Sequence, residues 1–289
     1  MKYKSIRTII DTANQRKLSI SELVIDDQVE ATGKSREELI QKMKEAYDVM
    51  KKSINIGLTE RCELKIEQDD GAKIYKKYVD KGKSLLGDKV GLAVAMAMSV
   101  SEVNASMGKI VAAPTAGSCG ILPAALVSTE KNYNIEEDKI INAMFTASAI
   151  GMVVANVFSI AGATGGCQAE CGTASAMAAA AIVELLGGTS TQIGDAIAIC
   201  IKNIEGLVCD PVAGLVECPC IKRNASGVVQ AIVAADMALG GIKSIIPVDE
   251  VILAMKQSGE LMDDRLKETA EGGLATTDTG LRLKHKIFG

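Results

Sequence analysis

The sequence of 289 residues has no tryptophan, and only 3% of its residues are aromatic. Its core must therefore be aliphatic. Histidine occurs once, as His285, next to the C-terminus. A Ser-His-Asp triad would need that imidazole to fold back from a basic tail, and His-based zinc catalysis is hard to build from one ring. Neither charge sign dominates, since 32 Lys and Arg face 36 Asp and Glu for a net charge of −4. A non-specific nucleic-acid binder needs a basic excess, so that class is excluded. No apolar h-region opens the chain, which implies a cytoplasmic protein. There is no Cys-x-x-Cys pair, which argues against an ordinary zinc ribbon. Phosphate loops fail as well: Thr32-Gly33-Lys34-Ser35 lacks the glycine required five places earlier, where Gln28 stands.

The chain does contain 48% hydrophobic residues, 27 glycines and eight cysteines. The first 90 residues are charged and helical in pattern. Ser35-Arg36-Glu37-Glu38 is a capping box, followed by an apolar stripe of Leu39, Met43, Tyr47 and Met50. From Val90 onward small apolar residues take over. Segment 140–169 carries no charge and is long enough to span a bilayer, but Asn142, Asn156 and a glycine cluster interrupt it and no basic flanks frame it. It reads as core, and the chain as having no membrane association. Helices are expected over 172–186, 193–207 and 227–239, and strand signals are sparse. The expectation is a mostly α fold, a compact bundle of buried Ala/Gly-rich helices with Gly/Pro/Cys loops. It is read as one domain over 1–289, of which 1–90 form a charged helical N-terminal portion.

The cysteines divide into two groups. Cys62 and Cys200 suit buried packing positions, whereas Cys167, Cys171, Cys209, Cys218 and Cys220 fall in loops beside Gly and Pro. Helix N-termini after such loops would lower thiol pKa values and favour bound thiolates. From the residues alone, buried thiols, a metal or cluster site, and a zinc or redox-sensing scaffold all remain open.

Several long blocks then carry a resemblance: SREELIQKMKEAYDVM, EVNASMGKIVAAPTAGSCGILPA, GATGGCQAECGTASAMAAAAIVELLGG, GLVCDPVAGLVECPCIKRN and LKETAEGGLATTDTG. Together they span nearly the whole chain, which resembles the α chain of the two-subunit, iron–sulfur-dependent L-serine dehydratases. The resemblance implies a [4Fe–4S] cluster held by Cys167, Cys209 and Cys220, which lie 42 (209 − 167) and 11 (220 − 209) positions apart. It also implies deamination of L-serine to pyruvate and ammonia, in a pathway of serine degradation. Three thiolates leave one iron open to act as a Lewis acid on the substrate hydroxyl. L-Cysteine desulfidation by the same chemistry is the neighbouring alternative. A pyridoxal-phosphate enzyme would need a Schiff-base lysine beside a phosphate loop, and no such pattern is present.

Substrate contacts are expected from Arg223 and Asn224, just past Cys220, and from Thr115 and Ser118 in the Pro114–Gly120 loop. Glu170 and Asp210 could either orient loops or touch substrate. No residue offers itself as the base, so the resemblance implies a separate β chain that supplies it. Two departures stand out. Gln68-Asp69-Asp70-Gly71 replaces the Gly-Gly segment usual in that family, which puts specificity for serine in question, and Cys119 occupies a small-residue position.

Overall fold

The computed structural model describes residues 3–289. Their helices are α1 (Ile6–Arg16), α2 (Ile20–Thr32), α3 (Arg36–Thr59), α4 (Gly71–Asp80), α5 (Gly87–Ala105), α6 (Ile121–Tyr133), α7 (Glu137–Val157), the single turn α8 (Gly162–Gly165), α9 (Thr173–Leu185), α10 (Ser190–Ile204), α11 (Cys220–Leu239), α12 (Val248–Leu261) and α13 (Asp278–Phe288). No strand forms among the described residues, and one isolated bridge joins Cys209 to Lys267. The mostly α expectation is met.

Local chemistry explains the helix starts. Ser35 accepts a hydrogen bond from the Glu38 amide while the Glu38 carboxylate accepts from the Ser35 amide, the reciprocal cap anticipated for α3. Thr189 and Gln192 make the same device at α10, which begins three residues before its apolar pattern does. The expected helix over 227–239 begins earlier still, at Cys220, so Arg223 and Asn224 lie in its first turns. The polar residues of that first stretch had masked its helical period.

At the centre lies α9, whose residues from Thr173 to Val183 are all buried. It packs on α6, α7, α10 and α11, and α5 packs in turn on α3, α4, α6 and α11. Alanine at six of the 13 α9 positions lets neighbouring helix axes approach closely, since a methyl group fills little of the space between them. One buried apolar cluster extends from Tyr3 to Met255 and contains no tryptophan. Helix α7 is apolar and long enough to cross a membrane, but Ile140, Phe145, Ile150 and Val154 are buried against the protein's own helices. It is a core helix, as its polar interruptions suggested.

Two extended segments leave this bundle and lie against the loop 208–219. One precedes α4, and its Lys65, Ile66 and Glu67 amides all donate to the buried Glu217 carboxylate, at 3.0, 2.7 and 3.2 Å. The other follows α12 and pairs with Cys209. These segments and the bundle enclose the cysteine-bearing loops.

Candidate functional site

Cys167 precedes a π-helical turn, Gln168–Gly172, that leads into α9. The widened turn brings the Cys171 Sγ within 3.4 Å of the Cys167 Sγ. Gln168, fully buried, fixes this turn to its surroundings. Its Nε2 donates to the carbonyls of Gly165 (2.9 Å) and Met255 (3.1 Å), and its Oε1 accepts from the Gly206 amide at 2.9 Å. The Gln168 amide itself donates to Leu207 O at 2.9 Å. The first cysteine turn is thereby tied to the loop that carries the second.

Cys209 is held by the segment after α12. Its amide donates to Leu266 O at 2.8 Å, and its carbonyl accepts from the Glu268 amide at 2.7 Å. Asp210 extends the clamp by accepting from the Leu274 amide at 2.8 Å and from Arg223 at 2.7 Å. Arg223 also donates to Val208 O at 2.8 Å. This ion pair is largely buried, with side-chain exposures of 15% and 5%. Such a pair fixes geometry more than it adds stability, because desolvation offsets much of the attraction.

Cys209 faces Cys167, and Cys220, at the start of α11, lies in the same neighbourhood. The structure thus brings Cys167, Cys171, Cys209 and Cys220 together from three separate stretches of chain. Cys218 stands half-buried nearby with Glu67, Lys222 and Arg223 around it, and Cys62, Cys119 and Cys200 are buried elsewhere. Thiol acidity departs from the helix-dipole expectation. Only Cys167 is pulled well below the ordinary thiol value, by the thiols of Cys171 and Cys209 and then by the Arg223 guanidinium. Burial, with the neighbouring Cys167 next, pushes Cys220 up to about 12 despite its place at a helix N-terminus. Cys209 is raised by its contact with Cys167 and by burial.

The predicted polar residues lie at this centre in different roles. Thr115 and Ser118 share a hydrogen bond of 3.0 Å, and Ser118 is fully buried. Asn224, also fully buried, accepts from the Gly120 amide at 2.9 Å and donates to Gly117 O at 2.8 Å and Cys220 O at 2.9 Å. Its amide therefore joins the Pro114–Gly120 loop to α11 rather than facing outward. Arg223 likewise has two of its nitrogens engaged with Val208 and Asp210.

Two carboxylates complete the wall. Thr115 and the Gly162 amide face the Glu170 carboxylate, and burial, the largest effect on it, pushes its carboxyl up to about 7. A Cβ on Gly162 would lie 2.8 Å from Glu170 Oε2 and 2.9 Å from Cys209 Sγ, so only glycine leaves that face open. Glu268, solvent-exposed, has the left-handed φ of 62° that side chains other than glycine seldom adopt. Glu170, Cys209 and Glu268 place their ligand atoms within 4.8 Å of one another. Sequence reasoning assigned nothing to Glu268, Glu217 or Gln168. The only local signal was their position inside the long blocks, which does not reveal what each side chain meets.

The donor set is right for an iron–sulfur cluster. Soft thiols converge, one of them is readily ionised, and neighbouring backbone is fixed by Gln168, Asp210 and Asn224.

Comparison with known proteins adds the context. Residues 15–275 match the family described as Serine dehydratase alpha chain. The L-serine dehydratase alpha chain of Peptoniphilus asaccharolyticus is 49% identical over 283 residues, covering 98% of this chain and 97% of that one. The probable L-serine dehydratase alpha chain of Bacillus subtilis (strain 168) is 47% identical over 288 residues, covering 99% and 96% respectively. The L-serine dehydratase of Streptomyces coelicolor (strain ATCC BAA-471 / A3(2) / M145) is 37% identical over 276 residues, which make up 92% of this chain but 59% of that longer one. The chain belongs to the serine dehydratase alpha-chain family.

Proposed function

We propose that this chain is the cluster-holding half of an L-serine dehydratase, converting L-serine to pyruvate and ammonia together with a β chain. The observation that carries the reading is the convergence of Cys167, Cys209 and Cys220, far apart in sequence, beside a polar wall inside a family whose relatives are named for this reaction.

Cys167, Cys209 and Cys220 would hold a [4Fe–4S] cluster through three thiolates. When bound, such a cluster supplies an iron with an open position, a Lewis acid for a departing hydroxyl. The chain's own residues do the rest. The Arg223–Asp210 pair and Gln168 keep the cysteine loops at fixed separation, which preorganises the donors before any ligand arrives. Asn224 holds the Pro114–Gly120 loop against α11, so that Thr115 can take up the substrate carboxylate from one side. Thr115 also faces Glu170, so the loop lies against the carboxylate wall. Ser118 supports Thr115 from beneath. With no imidazole nearby, removal of the Cα proton falls to a group on the β chain.

The test is a cysteine series on protein reconstituted with iron and sulfide under nitrogen. Replacing Cys167, Cys209 or Cys220 with Ser should abolish cluster absorption, and replacing the remote Cys200 should leave it unchanged. Full cluster absorption in any of the first three would overturn that ligand assignment. Pyruvate formed from L-serine, and no sulfide released from L-cysteine at a comparable rate, would distinguish dehydration from desulfidation.

A further inference from the structure

We propose that Cys171 is a redox partner for Cys167, closing a disulfide with it when the metal-free chain meets a peroxide. The bond itself is argued from the two thiols alone, and its consequence for cluster uptake rests on the function proposed above. That function gives Cys171 no task, since its three ligands come from Cys167, Cys209 and Cys220.

Distance supplies the first argument. The Cys171 Sγ lies 3.4 Å from the Cys167 Sγ, and both side chains are buried. A disulfide bridges residues whose Cα atoms stand about 4.4–6.8 Å apart. Residues four apart in a regular α-helix are separated by about 6.2 Å, from its rise and radius. The π-helical turn that Cys167 precedes winds more residues into each turn, which brings such a pair closer. To reach a bond of about 2.0 Å the sulfurs close by about 1.4 Å (3.4 − 2.0), within the reach of side-chain rotation.

Construction supplies the second. Gln168 holds the turn through the carbonyls of Gly165 and Met255 and the amide of Gly206, so protein groups alone keep the two thiols in contact. Cys209 is placed differently. Its amide and its carbonyl are both tied to the segment after α12. Bonding it to Cys167 would draw two separately anchored stretches of chain together, whereas Cys171 shares a turn with Cys167.

Chemistry supplies the third. The Cys167 sulfur attacks one peroxide oxygen and the O–O bond breaks. The departing hydroxide takes the thiol proton and leaves as water, and the sulfur becomes a sulfenic acid. The Cys171 sulfur then attacks the Cys167 sulfur. The S–S bond forms, the S–O bond breaks, and the second hydroxide leaves as water with the Cys171 proton. Two thiols thereby lose two electrons to one peroxide. Peroxide is scarcely larger than water, which suits a pair with so little exposure. The disulfide stops Cys167 short of the sulfinic and sulfonic acids, which thiols do not reverse. While closed, it withholds one of the three cluster ligands until a dithiol reopens it.

The experiment uses the full-length metal-free chain, reduced, freed of reductant and treated with one equivalent of hydrogen peroxide. Remaining thiols are blocked with N-ethylmaleimide during denaturation, and the chain is cut after its glutamates. Cleavage after Glu170 falls between the two cysteines, so the bond would link peptide 138–170 to peptide 171–184. Mass spectrometry should find that linked pair, and a dithiol should separate it. Both cysteines alkylated, or peptide 138–170 joined instead to 206–217 or 218–250, which carry the other loop cysteines, would overturn the proposal. The treated chain should take up at least about tenfold less iron and sulfide until dithiothreitol restores it. Cys171→Ser should load to the unsubstituted level before any peroxide; loss of loading there would make Cys171 a ligand and overturn the proposal. A linked pair in a chain that still loads iron fully, or that loads none even when reduced, would leave the disulfide standing and count against the cluster assignment.

Discussion

Replacement of Asn224 by Ala tests how the site is assembled. The side chain is fully buried and makes three hydrogen bonds, to Gly120 N, Gly117 O and Cys220 O. Each such bond contributes about 1 kcal/mol net, and a buried partner left alone forfeits its desolvation as well, so the loss is about 3 kcal/mol. For a domain stabilised by about 5–15 kcal/mol in total, that is a large fraction. Asn224→Asp is a sharper probe. It keeps an acceptor for the Gly120 amide but turns carboxylate oxygen toward two carbonyls, so it should be no more stable than the alanine variant. Urea unfolding of metal-free protein gives the free-energy change, and hydrogen exchange at the Gly120 amide reports the loop directly. A loss below about 1 kcal/mol with unchanged Gly120 protection would refute the idea that this amide joins the loop to α11.

Two further expectations concern Glu102 and Gly120. Glu102, 2% exposed, accepts from the Ala72 amide at 2.8 Å, and burial pushes its carboxyl from 4.5 up to about 7. The folded state therefore prefers the neutral acid, so the stability it contributes is fully present below pH 4.5 and is lost as pH rises through about 7. The 2.5-unit difference (7 − 4.5) corresponds to about 3 kcal/mol. Glu102→Gln should remove that part of the slope between urea unfolding at pH 5 and at pH 8, and an identical slope in both proteins would contradict it. Gly120→Ala should destabilise by several kcal/mol on thermal unfolding, since a Cβ there would collide with the Ala97 carbonyl oxygen where α5 meets the start of α6; unchanged melting would show that α5 yields.

Helical architecture was legible because it depends on local signals. The Ser35 cap, the stripe from Leu39 to Met50 and the alanine run of α9 each declare a helix within a few turns of chain. The beginning of α11 was not, because Cys220, Lys222, Arg223 and Asn224 hide the apolar period that becomes readable only from Gly227. The cysteine centre was legible through resemblance, since positions so far apart have no local pattern connecting them. Asn224 stood out by its place near Cys220, yet its hydrogen bonds run to a loop about a hundred residues upstream, which no spacing rule conveys. Glu268 was hidden for the same reason: its closeness to Cys209 and Glu170 comes from one extended pairing, not from sequence neighbours. Segment Gln68–Gly71 acquires a structural context too. Its upstream neighbours are fixed by Glu217 beside the cysteine loop, and Ala72 just after it is fixed by Glu102.

The central claim is that Cys167, Cys209 and Cys220 hold an open-iron cluster. Iron and acid-labile sulfide should be determined on protein purified under strict exclusion of oxygen, with an electron-spin-resonance spectrum before and after brief oxidation. The account predicts about four irons and four sulfides per chain, and a three-iron signal as the open iron is lost. Zinc, or no metal after anaerobic reconstitution, would contradict it.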